Sequence, residues 1–197
     1  MRQILGGLML LASIQSYAQY FPSEHWHEGY LVSNDGDSLR GKLKYDMESD
    51  LVQLDKNGRI QTFSGRNMSY FEIFDAVTEN YRQFYVIPFS VNVEYKVPRI
   101  FEMLYLGELS LVSREAIVNE AVNPSSFSYY GSTRRLSNVF YFVYKDGKVV
   151  KYENKRNHLM EVMGEKSKDI RAYMKKNHLR SDKLQDLVRI TAFYNSI

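Results

Sequence analysis

Residues 38–45 read Ser38-Leu39-Arg40-Gly41-Lys42-Leu43-Lys44-Tyr45. Strict alternation puts Leu39, Gly41, Leu43 and Tyr45 on one face of a strand and Ser38, Arg40, Lys42 and Lys44 on the other. The pattern predicts a sheet with one dry face and one wet face. Just upstream, Tyr30-Leu31-Val32 runs into Asn34-Asp35-Gly36-Asp37, where the Asp-Gly pair offers the positive φ angles of a tight hairpin. Downstream, Leu51 to Asp55 and Arg59 to Phe63 form a second predicted hairpin around Lys56-Asn57-Gly58, and Met68 to Phe74 is a further strand with a heavy aromatic load.

The same reading extends to about Tyr152. Tyr81 to Ile87 alternates loosely, whereas Phe89 to Lys96 alternates strictly and is predicted as a strand bracketed by Pro88 and Pro98, since proline cannot donate to a ladder. Arg99 to Leu106 and Glu108 to Arg114 flank Gly107 as a turn or bulge. Residues 119–137 are predicted as a long loop carrying at most a short strand over Phe127 to Tyr130. Val139 to Tyr144 is apolar on both faces, as expected of a covered central strand, and Asp146-Gly147 turns it into Lys148 to Tyr152.

After Asn154 the apolar period changes from two to 3.6. Leu159, Met160, Val162 and Met163 mark a short helix ending near Gly164, and Ile170, Tyr173 and Met174 mark a second. A third carries Leu184, Leu187, Val188, Thr191, Ala192 and Tyr194, with Ser181 as its predicted N-cap and Asp182 near its positive end. The predicted fold is therefore α+β: an antiparallel β-sheet or barrel-like β domain over 27–152, followed by two to three C-terminal amphipathic helices over 155–195. Nothing divides residues 19–197 into two domains.

The first eighteen residues read differently. Arg2 supplies a positive n-region, Ile4 to Ile14 an apolar h-region, and Ser16-Tyr17-Ala18 the small-x-small end that a signal peptidase needs. The expectation is a signal peptide over 1–18, a mature chain from Gln19, and export to the periplasm or outer envelope, or secretion. The apolar run is too short to span a bilayer as a retained helix. With no cysteine, the chain has no disulfides, no lipidated first mature residue and no thiolate chemistry.

Charge and aromatics narrow the classes further. Twenty-six Lys and Arg against 23 Asp and Glu give +3, spread along the chain without a basic stripe, which argues against a nucleic-acid partner. Sixteen Tyr and 11 Phe suit half-buried pleated surfaces and point first to sheet. The charged faces of the strands, Arg40, Lys42 and Lys44 among them, also argue against a lipid-facing barrel.

Four constellations are candidates for chemistry. His25 and His27, spaced to share one face of a strand, are candidate metal ligands, against the plainer reading of an exposed lead-in with Trp26 packing as a plug. Glu102 lies in a mostly apolar strand and is either a raised carboxylic acid fit for general acid work or the partner of Arg99, Arg114 or Arg82. Glu72 and the Arg114-Glu115 pair fall under the same argument. Tyr129, Tyr130, Arg134 and Arg135 are the candidate ligand-binding edge, and Asp35-Gly36-Asp37 reads as a hairpin turn, lacking the spacing of a calcium loop. Nucleophile elbows, phosphate loops and dinucleotide fingerprints are absent from the sequence, and no cofactor is implied.

His27-Glu28-Gly29-Tyr30-Leu31-Val32, Asp35 to Tyr45, Tyr70-Phe71 with Asp75, Phe101-Glu102 with Gly107, Leu111, Arg114-Glu115, and the terminal Tyr194-Asn195-Ser196 together resemble uncharacterised exported proteins of the Bacteroidota. The resemblance implies an envelope or periplasmic location and carries no known reaction. The expected function is an exported, non-catalytic binding or interaction module, its partner an envelope protein or a small ligand, with self-association open to its edge strands. The alternatives are a β domain that binds an apolar or carbohydrate ligand, and a hydrolase built on Glu102 or the His25/His27 pair.

Overall fold

A computed structural model describes residues 20–92, 95–121 and 132–197; the expected signal peptide and Tyr129 and Tyr130 lie outside them. After a 3₁₀ turn at Pro22–Glu24 come ten strands: β1 (His27–Ser33), β2 (Ser38–Asp46), β3 (Leu51–Lys56), β4 (Arg59–Ser64), β5 (Met68–Asp75), β6 (Asn80–Asn92), β7 (Tyr95–Tyr105), β8 (Leu109–Ala121), β9 (Ser132–Tyr144) and β10 (Val149–Lys151). Three helices come last, α1 (Arg156–Met163), α2 (Ser167–Lys176) and α3 (Leu184–Ser196). The fold is α+β, as the sequence predicts.

All ten strands join one antiparallel sheet in the order β10-β9-β8-β7-β6-β5-β1-β2-β3-β4. Two meanders meet at its centre: β1 to β4 run outward in sequence, the chain returns, and β5 pairs with the free side of β1 before β6 to β10 run the other way. Asn57 and Gly58 both have positive φ and form the two-residue turn that joins β3 to β4.

Alternation along the strands builds a continuous concave face with two cores. Leu31, Leu43, Tyr45, Val52, Leu54, Phe71, Ile73, Phe84 and Ile100 are buried inside the curl of β1 to β7. There the Phe71 and Phe84 rings, opposite each other across β5 and β6, stack at 4.4 Å. Gly29 faces Gly41 across β1 and β2, and strands approach closely there: a Cβ on either would collide with a neighbouring strand's carbonyl oxygen, that of Glu72 or Asp55.

Closure of the curl does not use a strand ladder. Beyond the Glu102–Ser113 pair no register joins β7 to β8, and the loop between β2 and β3 fills the split. Asp50, held at φ 55, accepts the Ile100 amide at 2.8 Å and ion-pairs with Arg99 and Arg114. Arg114 in turn donates to the carbonyls of Ile100 and Met47, and the Glu115 amide lies against the Met47 sulfur at 3.2 Å. Side chains of one loop thus satisfy backbone groups that the separated strands would otherwise leave buried and unpaired.

The second core lies under the helices. Leu109, Leu111, Phe142 and Tyr152 from β8, β9 and the chain after β10 pack against Leu159, Val162, Ile170, Met174, Leu187 and Ile190. Asn195 fixes α3 to the sheet: its carboxamide oxygen accepts the Leu109 amide and its NH₂ donates to the Leu109 carbonyl, at 3.1 and 2.9 Å. Gly107 leaves the space this needs, since a Cβ there would strike the Asn195 amide group.

Three local expectations are corrected. Pro88 and Pro98 do not bound a strand; they face each other inside β6 and β7. At that level β6 has passed the end of its pairing with β5, at Tyr85, and β7 that with β8, at Glu102, so the missing N–H groups interrupt no ladder. Much of the predicted loop over 119–137 is strand, because β8 continues to Ala121 and β9 begins at Ser132. Paired β-branched and aliphatic residues such as Ile117 and Leu136 extend the hairpin there. Finally, α3 starts with Lys183 as a cap residue that makes no side-chain capping bond, and Ser181 lies before it; Asp186 accepts the Arg180 amide.

Candidate functional site

Between the two cores, on the same concave face, lies a cluster of charge. Arg82 of β6 forms a two-pronged pair with Glu102 of β7, Nε to Oε1 at 2.7 Å and Nη2 to Oε2 at 2.8 Å. It also lies 3.5 Å from Glu115 of β8 and 3.7 Å from Asp75 at the end of β5, and it donates to the Tyr45 hydroxyl at 2.9 Å. Tyr20 donates to Asp75 at 3.1 Å, and Ser113 donates to Glu102 at 3.3 Å. Asp75 and Glu115 have side chains 1% and 3% exposed, so one buried guanidinium faces three carboxylates in a medium that charge enters at high cost.

The imbalance shows in protonation. Burial pushes the Glu115 carboxyl above the usual carboxylate range, with Arg82 and the Tyr45 hydroxyl opposing. Tyr45 is driven far above the ordinary phenol range by burial, and Tyr20 rises to about 12, first by burial and then by Asp75. Two carboxylate oxygens, Asp75 Oδ2 and Glu115 Oε1, are buried without a hydrogen-bond partner among the described residues.

A cleft opens beside this cluster. It measures about 370 Å³ and is walled by Ser23 and Glu24 of the 3₁₀ turn, Lys44 to Asp46 of β2, Gln53 of β3, Thr62 of β4 and Ile117 of β8. A recess of about 60 Å³ shares Ser23, Asp46 and Ile117 with it and is lined further by Met47, Glu48 and Glu115. Asp46 is held by the Glu48 amide and the Ser49 hydroxyl, bonds that depress its carboxyl pKa against the opposing effect of burial.

The residues singled out from sequence are scattered about this geometry. His27 is buried with its Nε2 at 2.8 Å from the Pro22 carbonyl, while His25 lies outside β1 and stacks on Tyr20 at 4.9 Å. The two imidazoles are thus engaged separately. Among the described residues no group of three or more His, Asp or Glu is placed to hold a metal ion. Trp26 is 39% exposed and plugs nothing.

Glu102 takes the ion-pair alternative, with Arg82 as its partner. Glu72 lies elsewhere, accepting from Tyr70 and Gln83 at 3.0 and 2.9 Å. Arg134 pairs with Glu24 on the cleft wall and lies over the Phe21 ring at 4.7 Å, which brings one member of the predicted recognition edge to the cleft rim. Arg135 is engaged and exposed on β9. Asp75, Tyr45 and the cleft residues Asp46, Gln53 and Thr62 carry no local sequence signal, because the site is assembled from β2, β3, β4, β5, β6, β7 and β8.

Among the described residues no helix is long and apolar enough to cross a membrane. Comparison of the chain with protein-family models, curated proteins and solved structures finds no match.

Proposed function

We propose that this protein is an exported, non-catalytic binding module of the cell envelope, and that its ligand enters the cleft between the 3₁₀ turn, β2 to β4 and β8. The observation that carries the reading is the cleft itself: about 370 Å³ of concave, mixed polar and apolar surface whose inner end reaches a buried, incompletely paired carboxylate. Catalysis is disfavoured by the state of the acids. Both oxygens of Glu102 are occupied by the two-pronged pair with Arg82, so neither is presented to a substrate. Export is supported by the n-region, h-region and Ser16-Tyr17-Ala18 end of the sequence.

The binding reading is tested by amide-resolved NMR of the mature chain titrated with butylammonium, butyrate, butanol and butyramide. Concerted shifts at Ser23, Asp46, Gln53 and Ile117 with at least one of them, abolished in Thr62→Trp, are expected. Failure of all four probes to move these residues, or shifts that survive the filled cleft, would overturn it. For export, mass spectrometry of the native protein should find Gln19 at the N-terminus.

A further inference from the structure

We infer that the recess at the inner end of the cleft is a cation site: it takes the ammonium head of a primary amine, seated against Glu115, while the rest of the ligand occupies the larger cleft. The inference rests on the binding reading above and specifies the ligand class.

Three observations carry it. Glu115 is 97% buried as a side chain, lines the recess, and has one carboxylate oxygen, Oε1, without a hydrogen-bond partner among the described residues. Its only ionic partner among the described residues is Arg82, at 3.5 Å, and that guanidinium spends its two shortest bonds on Glu102. One cation therefore serves three carboxylates, and the unmet demand falls on a residue that lines the recess. A buried acceptor of this kind gains most from a charged donor, which restores both the missing hydrogen bond and the missing charge.

The approach has the matching sign. Glu24, Asp46 and Glu48 line the cleft and recess with Glu115, and the base among the described lining residues is Lys44, on β2. Glu24 is engaged by Arg134, and Asp46 by the Glu48 amide and Ser49, so Glu48 is the rim carboxylate left to meet an incoming cation. Size favours a compact head group: the recess, about 60 Å³, suits an ammonium with its first methylene better than a bulkier guanidinium or quaternary ammonium. The Met47 and Ile117 side chains suit the methylene, and the adjoining cleft accommodates the remainder of the ligand.

The experiment is the same four-probe titration, read by head group and repeated on Glu115→Gln and Glu48→Gln. Butylammonium is expected to bind in the millimolar range and more tightly than butyrate, butanol or butyramide. Glu115→Gln, which keeps the shape but not the charge, should weaken it by about tenfold or more, and Glu48→Gln by about twofold, with the latter loss disappearing in high salt. The melting temperature of each variant shows whether the fold is intact. Binding of a neutral or anionic probe with no preference for butylammonium would overturn the cation site and leave the binding cleft standing. Butylammonium affinity unchanged in a folded Glu115→Gln would also overturn it. If Glu115→Gln does not fold, Glu48→Gln and the head-group ranking decide, and an unranked panel sinks the inference. No response to any probe defeats both readings.

Discussion

Arg82 is the residue on which the interior charge balance depends. Replacing it with Met would leave Asp75, Glu102 and Glu115 buried with no cation among them, and urea unfolding should show a loss of about 3–5 kcal/mol. Lys in its place should recover only part of that, because a point charge cannot reproduce the fork that meets both oxygens of Glu102. A loss below about 1 kcal/mol in Arg82→Met would mean that the carboxylates are already relieved by protons or solvent.

Glu115 makes a second prediction at this scale. Its folded pKa lies above the 4.5 of a free glutamate, so it favours the native state when protonated and loses that contribution as pH rises through the folded value. Glu115→Gln should therefore gain stability relative to the parent as pH is raised through and above the ordinary carboxylate range. Denaturant midpoints across pH, compared between the two proteins, measure it; a difference that does not vary with pH contradicts it. Glu102 was legible in the sequence as an acid among apolar neighbours that must find an arginine. Its convergence with Glu115 and Asp75 was not, since Arg82 stands 20 and 33 residues from the two glutamates in the chain and register alone aligns them.

At the level of elements, the closest strand approaches depend on residues that look unremarkable in an alternating pattern. Gly41 continues the dry face of β2 on paper, yet its role is to face Gly29 where strands approach too closely for any side chain. Ala at either position should cost about 1–3 kcal/mol or more, since the colliding atom is backbone and cannot swing away. The latch formed by Asp50 is a second such device. Asp50→Ala strands Arg114 and the Ile100 amide together, and the expected signature is faster hydrogen exchange at Ile100 with a stability loss of about 3 kcal/mol. An Ile100 amide as protected as before would show that the β7/β8 split is closed by something else. Neither device announces itself by propensity, whereas the Asn57-Gly58 turn and the three amphipathic helices did.

Over the whole molecule, the two cores share strand β7, which gives Ile100 to one and Leu104 and Tyr105 to the other, and the charge cluster lies between them. Such sharing predicts a single cooperative unit, with near- and far-UV circular dichroism transitions coinciding on heating. Removing residues 155–197 should not leave a stable sheet, because Leu109, Leu111, Phe142 and Tyr152 would lose the cover of Leu159, Ile170 and Ile190. A soluble, cooperatively unfolding 19–154 fragment would count against this. Alternation and the change to a 3.6 period were enough to determine strands first, helices last and one face of each buried, since these arise from geometry local to each element. Only the tertiary structure decided which strands are neighbours, that two glycines face each other where strands approach closely, that Asp50 bridges the β7/β8 split, and that three acids meet one arginine beside a cleft. Those depend on register and on contacts between residues far apart in the chain, where local periodicity carries no information.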